Sequence, residues 1–526
     1  MKARWYQEEA LDALFDYLST QPGNPILALP TGTGKSFIIA EFIRRVMQHY
    51  PAQRFLMLTH VKELIVQNAQ ELLAVWPTAP LGVYSAGAKR REHNMPITFA
   101  GIASAVNKAS LFRHIDLVFI DECHLVSPKG LTMYRTLLAE LAKYNPRLRV
   151  IGLTATNWRL GLGMLTDGGV FNATCYDLTT PASFNRLIAD GFLAPLIPKR
   201  TALQYDLRAV KTDKGDYNLS SLQGALDVEA LTLAAVRETI EQGQNRKHWL
   251  IFASGIEHAE HIAATFSSLG VSAALVHSKM PDRQRDAELE AFKAGRYRCL
   301  VNNTMFTTGF NFPALDLISI MSATKSSSKW VQILGRGTRP CDGKENCLIL
   351  DYGGNTVRLG EINNPVIPGK KGTGGGMAPV KVCPSCMTYN PASIGHCAYC
   401  GAEFPHAPLK LAQAASTKEL IKEALPVVEP FKVDRVTYSL HHPFASKSPS
   451  LLVSYYCGLR LFKEWVCLQH PGPIRGKATR WWRDRSKHAP PATIEAALLL
   501  VSDLIEPKQI KVWINKIHPE VINYDF

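Results

Sequence analysis

The chain has 526 residues, 46% of them hydrophobic and 20% charged, with 59 lysines and arginines against 45 acids and a formal net charge of +14. That length exceeds a single hydrophobic core and implies about three to four domains, while the positive balance points to a polyanionic partner. No apolar run reaches the roughly 18 residues of a membrane span, the opening residues with Glu8 and Glu9 do not read as a secretory leader, and an odd set of eleven cysteines gives no disulfide framework, so a cytoplasmic globular protein with no membrane partner is expected.

In chain order, the first legible element is a short apolar strand, Ile26 to Leu29. It is followed by Pro30-Thr31-Gly32-Thr33-Gly34-Lys35-Ser36 and an apolar helical run from Phe37 to Met47. Strand, glycine-rich loop and helix in this order make a phosphate-binding loop. Glycines let backbone N–H groups turn inward around phosphates, the helix N-terminus adds positive potential, Lys35 reaches the terminal phosphates and Ser36 can hold magnesium. Thr31, Gly32, Thr33, Gly34, Lys35 and Ser36 are therefore the expected contacts to a nucleoside triphosphate.

The apolar run Asp116 to Ile120 ends in Asp121-Glu122-Cys123-His124. Asp121, at the end of a parallel strand beside the loop, is placed to hold magnesium, and Glu122 to orient or deprotonate the attacking water. Two carboxylates and a histidine here suggest a motor, not a kinase; taken alone, the four residues would also fit a surface turn. Apolar strands near residues 26, 55, 98, 116 and 148 alternate with helical stretches, the pattern of a parallel sheet covered on both faces. A second set, His248–Ala253, Ala273–Val276, Arg298–Val301, Leu315–Ile320 and Cys347–Leu350, repeats it. Ala194-Pro195 and the stretch from Pro198 to Tyr205 mark the crossing between the two.

Within the second set, Gln332-Ile-Leu-Gly-Arg336-Gly-Thr-Arg339 carries two arginines three residues apart. On a helix they share a face, which Gln332 joins one turn earlier. An arginine arriving from another domain stabilises the charge that builds on a departing phosphate. Arg339 is expected to be the principal finger and Arg336 its partner; pairing with surface acids is the plain alternative.

From Asn363 to Pro379 the composition turns to glycine, proline and lysine without an apolar period, which predicts a flexible tether. Beyond it, Cys383-Pro-Ser-Cys386 and Cys397-Ala-Tyr-Cys400 form two paired-cysteine knuckles. Their spacing fits tetrahedral zinc, with an iron–sulfur cluster or a redox pair as the rival. Zinc is favoured because so short a segment has no core and needs the metal to fold. His396 reads as a bystander or a DNA contact. A helix is expected over 408–424, then a small α+β domain. There, strands are expected at Val453–Gly458 and Phe462–Leu468, and eight lysines or arginines face two acids between Gly458 and His488. Trp465, Trp481 and Trp482 stand among those charges. They read equally well as a surface on which unpaired bases stack and as core residues beneath a solvated face.

The ordered motifs resemble a superfamily 2 helicase of the DEAD/DEAH-box type. Arg4-Trp5-Tyr6-Gln7 resembles the adenine-reading motif, Thr59-His60-Val61-Lys62-Glu63-Leu64 a strand-contacting motif, and Thr154-Ala155-Thr156 the element that couples hydrolysis to movement. Phe306-Thr307-Thr308-Gly309-Phe310 resembles the fifth motif and Gln332 to Arg339 the sixth. Within the superfamily the chain is most similar to RadD-like bacterial or phage DNA repair helicases with a C-terminal zinc ribbon. It departs from them in carrying Asn157 where proline is usual and Asn311 where aspartate is usual.

The resemblance implies two tandem RecA-like domains, over 1–193 and 194–362, a linker over 363–381, a zinc ribbon over 382–405 and an accessory domain over 406–526. It implies an ATP hydrolase with Gln7 on the adenine, Glu122, Lys35, Arg336, Arg339 and Gln332 catalytic, and Ser36 and Asp121 on magnesium. Thr59, Lys62, Thr304 and Thr308 would contact the nucleic acid, and Cys383, Cys386, Cys397 and Cys400 would hold zinc. The expected activity is ATP-driven helicase or translocase action on single-stranded or branched DNA in replication, recombination or repair, alongside single-stranded-DNA-binding or recombination proteins. An RNA helicase, or an adaptor whose ATPase switches conformation without unwinding, are the alternatives.

Overall fold

The computed structural model describes residues 3–127, 132–159, 163–213, 215–303, 310–366, 380–404, 427–442, 448–458, 460–514, 516 and 519–526. The chain divides into two compact units, one of Gly23–Glu423 and one that joins Met1–Pro22 to Ala424–Phe526. The expected helix over 408–424 and most of the expected linker lie outside the described residues.

The larger unit contains two parallel sheets. In the first, the strands run in the order Ala173–Asp177, Pro25–Ala28, Arg149–Thr154, Leu117–Asp121, Phe55–Thr59, Ile97–Gly101, Leu81–Ser85 and Arg90–Arg91. All neighbours are parallel except the last pair. The central strands are buried along their whole length, as apolar runs without alternation require when helices cover both faces. The second sheet is wholly parallel, in the order Leu196–Lys199, Cys347–Asp351, Leu317–Met321, Trp249–Ala253, Cys299–Asn302 and Ala273–Val276. The expected crossing segment thus supplies this sheet's edge strand, Leu196–Lys199, and Leu81–Ser85 and Ala173–Asp177 are further strands that the apolar pattern did not show.

The four-cysteine segment belongs to the same unit. Val380–Val382 pairs antiparallel with Tyr389–Pro391, Lys199 bridges Thr388, and the Arg200 amide donates to the Met387 carbonyl at 2.8 Å. The segment is therefore laid along the edge of the second sheet. Within the expected linker, Asn364–Pro365 pairs with Gly360–Glu361.

The smaller unit holds two three-stranded antiparallel sheets. One has the order Val428–Lys432, Gln509–Trp513, Glu520–Asp525, and the other the order Arg435–His441, Ser450–Cys457, Arg460–Val466. Their shared core takes in Tyr455, Phe462, Trp481 and Trp482. The helix Trp5–Thr20 is part of this unit. Arg480, on the helix Pro473–Arg483, reaches Asp12 at 3.0 Å and Glu9 at 3.6 Å. The first helix of the stretch expected as a single domain over 1–193 is accordingly grouped with the C-terminal residues.

Candidate active site and metal centre

The phosphate-binding loop follows the strand Pro25–Ala28 and opens the helix Lys35–His49. Gly32 and Gly34 have φ of +91° and +79°, left-handed values that glycine adopts without a Cβ penalty and that turn N–H groups inward. The Leu29 amide donates to the Thr154 carbonyl at 2.8 Å, tying the root of the loop to the neighbouring strand. Thr33 is buried and its hydroxyl donates to the Pro30 carbonyl at 2.8 Å. Lys35 Nζ donates to the carbonyls of Leu29, at 3.1 Å, and Pro30, at 3.4 Å, so its ammonium lies over the loop. Thr31 and Ser36 are half-buried.

Asp121 ends the strand Leu117–Asp121, and both it and Glu122 are buried. Burial, with the negative charge of Glu122 added, pushes the Asp121 carboxyl above its usual range, while Lys35 and a 3.4 Å hydrogen bond from Asn68 oppose the rise. Burial presses Glu122 in the same direction but is outweighed. The hydrogen bond from His124 and the charges of Lys35 and Arg336 hold Glu122 below the ordinary carboxylate value. The two adjacent acids are thus driven in opposite directions, Asp121 toward its neutral form and Glu122 toward its carboxylate. Glu122 also has φ +52°, a left-handed conformation that costs a non-glycine residue on the order of 1 kcal/mol and is concentrated at functional sites.

His124 joins the two sheets. Its Nδ1 lies 3.4 Å from Glu122 Oε2 and 3.0 Å from Thr154 Oγ1, and its Nε2 lies 3.0 Å from Gln332 Nε2. Thr154 in turn donates its hydroxyl to the Thr156 carbonyl at 2.9 Å. These partners select the tautomer with the proton on Nδ1. The imidazole then donates toward the Glu122–Thr154 side and accepts from Gln332 in the second lobe.

The sixth motif meets the loop directly. A Cβ added at Gly335 would stand 2.7 Å from Thr31 Cβ, and one added at Gly32 would stand 3.2 Å from Arg339 Cγ. Arg336 is 4% exposed, and it and Arg339 each donate Nη1 to the Phe310 carbonyl, at 2.8 and 2.7 Å. Burial brings the Arg336 guanidinium down to about 10, against the pull of Glu122, and Arg339, repelled by Arg336 as well, down to about 9. Both remain cations at neutral pH. The expectation that the two arginines share a helical face needs correction. The helix Ser327–Leu334 stops at Gly335, and the arginines converge from the turn that follows because the Phe310 carbonyl gathers both. Asn311, the unusual residue of that stretch, is exposed.

The other expected contacts are dispersed. Gln7 is buried in the smaller unit, and its Oε1 accepts from the Arg4 amide at 2.9 Å. Thr59 is fully buried, and its hydroxyl accepts from the Val61 amide at 3.5 Å. Lys62 is 3.4 Å from Asp282 of the second lobe. Thr304 and Thr308, with the rest of Phe306–Gly309, lie outside the described residues. Asn68, the Phe310 carbonyl and the Gly335–Thr31 contact carried no sequence pattern of their own, whereas His124 stood within a motif already singled out.

The thiols of Cys383, Cys386, Cys397 and Cys400 all lie within 4.8 Å of one another. Cys383–Cys400 and Cys386–Cys397 are each 3.6 Å apart. Tetrahedral bonds of about 2.3 Å imply sulfur–sulfur edges of about 3.8 Å, so the set is sized for one metal ion. Burial raises the Cys397 thiol, but hydrogen bonds from the backbone of Cys400 and Tyr399 and from Asn390 outweigh it and bring it down to about 6.

Two parallel-sheet lobes thus meet at buried carboxylates, with the phosphate-binding loop on one and the arginines on the other. Residues 1–159 match the type III restriction enzyme res subunit family and residues 232–341 the helicase conserved C-terminal domain. The chain is 26% identical over 375 residues to a Schizosaccharomyces pombe protein named "Putative mitochondrial ATP-dependent helicase irc3", covering 70% of this chain and 60% of that one. It is 24% identical over 380 residues to the type I restriction enzyme EcoAI endonuclease subunit of Escherichia coli, covering 66% and 46%. It thus spans about half the length of these curated relatives. Its fold is shared with the ATP-dependent type ISP restriction-modification enzyme LlaBIII bound to DNA, at a TM-score of 0.51 and 14% identity, over 67% of this chain and 28% of that one. Residues 1–159 and 232–341 are thus similar to the two domains these family models describe, and the chain is similar over 70% of its length to a protein named an ATP-dependent helicase.

Proposed function

We propose that this protein is a DNA helicase or translocase that couples ATP hydrolysis to movement on single-stranded or branched DNA. The observation that carries the reading is the seam between the lobes, where Gly335 and Arg339 lie against Thr31 and Gly32 while His124 links Glu122 to Gln332. In this reading the loop amides and Lys35 bind the phosphates, Ser36 and Asp121 hold magnesium, and Glu122 takes the proton of the attacking water. Magnesium bound there neutralises phosphate charge and lowers the barrier to transfer. Arg339, with Arg336 beside it, stabilises the departing phosphate. Because these cations come from the other lobe, loss of the phosphate weakens the seam, and that change moves the lobes. The positive net charge and the restriction-enzyme relatives favour DNA. Gln7 would read the adenine, and the four cysteines would hold one zinc ion.

Hydrolysis measured without polymer, with single-stranded DNA, with a fork and with RNA tests this. DNA should stimulate hydrolysis well above RNA, and Lys35→Ala should abolish hydrolysis while DNA binding persists. Hydrolysis indifferent to every polymer would overturn the reading. One zinc per chain by elemental analysis, absent from a Cys397→Ser variant, is the expected result for the metal.

A further inference from the structure

The smaller unit carries an open sheet face with a chemistry of its own. In the sheet of Arg435–His441, Ser450–Cys457 and Arg460–Val466, alternate residues such as Val453, Tyr455 and Phe462 enter the core. The opposite face includes three consecutive cross-strand rows, with His441 and Ser450 as a fourth and the His441 ring 6.1 Å from that of Trp465. Arg435, Tyr456 and Leu461 form one row, Lys463 lies opposite Ser454 in the next, and Trp465 lies opposite Leu452 in the third. No acid occurs in these rows. Trp465 is 47% exposed and Leu461 45%, Lys463 is exposed, and the Arg435 guanidinium sits 4.3 Å over the Tyr456 ring. Trp481 and Trp482, by contrast, are buried beneath the other face, so the aromatic character of this basic region reaches solvent chiefly through Trp465.

We propose that this face is a platform for single-stranded DNA, separate from the motor seam, on which Trp465 and Tyr456 stack unpaired bases while Lys463 and Arg435 accompany the phosphates. A bare apolar face would fit many partners; aromatics interleaved with cations and free of acids fit a polyanion with flat bases. Tyr456 and Trp465 lie on rows four residues apart, about 13 Å along the strands. That is about four times the 3.4 Å rise per nucleotide of a strand, so the two rings would take bases several nucleotides apart, each turned toward the sheet as unpaired strands permit and duplex does not. The proposal rests on the reading of the chain as a DNA motor and adds a second foothold to it.

The test uses the full chain and a fluorescent oligothymidylate, read by anisotropy at low salt without nucleotide. Trp465→Ala is expected to weaken binding by at least about fivefold, Trp465→Phe to restore most of it, and Lys463→Glu to weaken it and flatten its salt dependence. Hydrolysis without polymer should be unchanged in all three, because none touches the seam. With DNA, the concentration needed for half-maximal stimulation should rise while the maximum stays. If wild-type hydrolysis responds to DNA and the variants bind like wild type, the platform is refuted and the motor reading stands. A wild type that binds oligouridylate in preference, losing it in the variants, would overturn the assignment to DNA.

Discussion

Both units bury charge, and they do so to opposite ends. In the motor unit, Asp121, Glu122 and Arg336 are each less than a tenth exposed, and their ionisation is pulled away from ordinary values in different directions. Glu122 and Arg336 act on each other across the junction of two lobes. In the smaller unit, Arg485 is 1% exposed and lies over the rings of Trp481, Tyr524 and Phe526 at 4.2, 3.9 and 4.9 Å. Glu464 accepts from Trp481 Nε1, Tyr455 and Tyr524 at 2.9, 3.0 and 2.6 Å. These charges find their partners within one core, Arg485 giving Nη1 to the Trp481 carbonyl at 3.0 Å and laying its other nitrogens against rings in place of hydrogen-bond acceptors. Buried charge left waiting at a seam serves a reaction, and buried charge surrounded by its own partners serves folding.

The sharpest separation comes from exchanging the readouts. Arg339→Ala should lower DNA-stimulated turnover by about a thousandfold or more and leave the thermal midpoint level or slightly raised, since a cation disfavoured by burial is gone. A large fall in the midpoint would break the contrast. Arg485→Ala should do the reverse, costing about 2–4 kcal/mol of stability through lost ring contacts and packing, as read from denaturant midpoints. Polymer-independent hydrolysis per folded molecule should barely change.

A third expectation concerns pH. His258 is fully buried, receives the Ser254 amide at 3.3 Å, and is held by burial down to about 4. The unfolded chain binds this proton below about 6.5 and the folded chain only below about 4. Stability should therefore fall as pH drops through that window, by up to about 3 kcal/mol. His258→Asn should flatten that part of the curve. Smallest of all should be Asp282→Asn, which removes the exposed partner of Lys62. Exposed pairs contribute little, so no shift in melting is expected, and a clear one would mean that the lobes are latched there.

What the sequence made legible follows the same division. The phosphate loop and the magnesium motif were readable because each is a local backbone shape fixed by a few adjacent residues. Of the seam, the arrival of two arginines from the second lobe was readable, but not the Phe310 carbonyl that gathers them nor the nearness of Gly335 to Thr31, which residue type does not encode. The arginines were assigned to a helical face from their spacing, yet Gly335 and the turn after it dissolve that geometry and tertiary contact supplies another. The tryptophans were undecidable in sequence, since a basic neighbourhood accompanies both a buried ring and an exposed one. Only tertiary packing separated them, strand register turning Trp465 outward and the helix Pro473–Arg483 carrying Trp481 into the core.

The helix Trp5–Thr20 belongs with the residues after Ala424, and this has a consequence for the order in which the molecule is made. It is translated before both lobes of the motor, and its partner Arg480 follows only after them. During synthesis the side that carries Glu9 and Asp12, the partners of Arg480, must wait uncovered or be shielded by another molecule. The smaller unit is consequently a late and slow closure, governed by contacts of very long sequence separation. Refolding of the full chain should show its motor signals recovering ahead of this final docking.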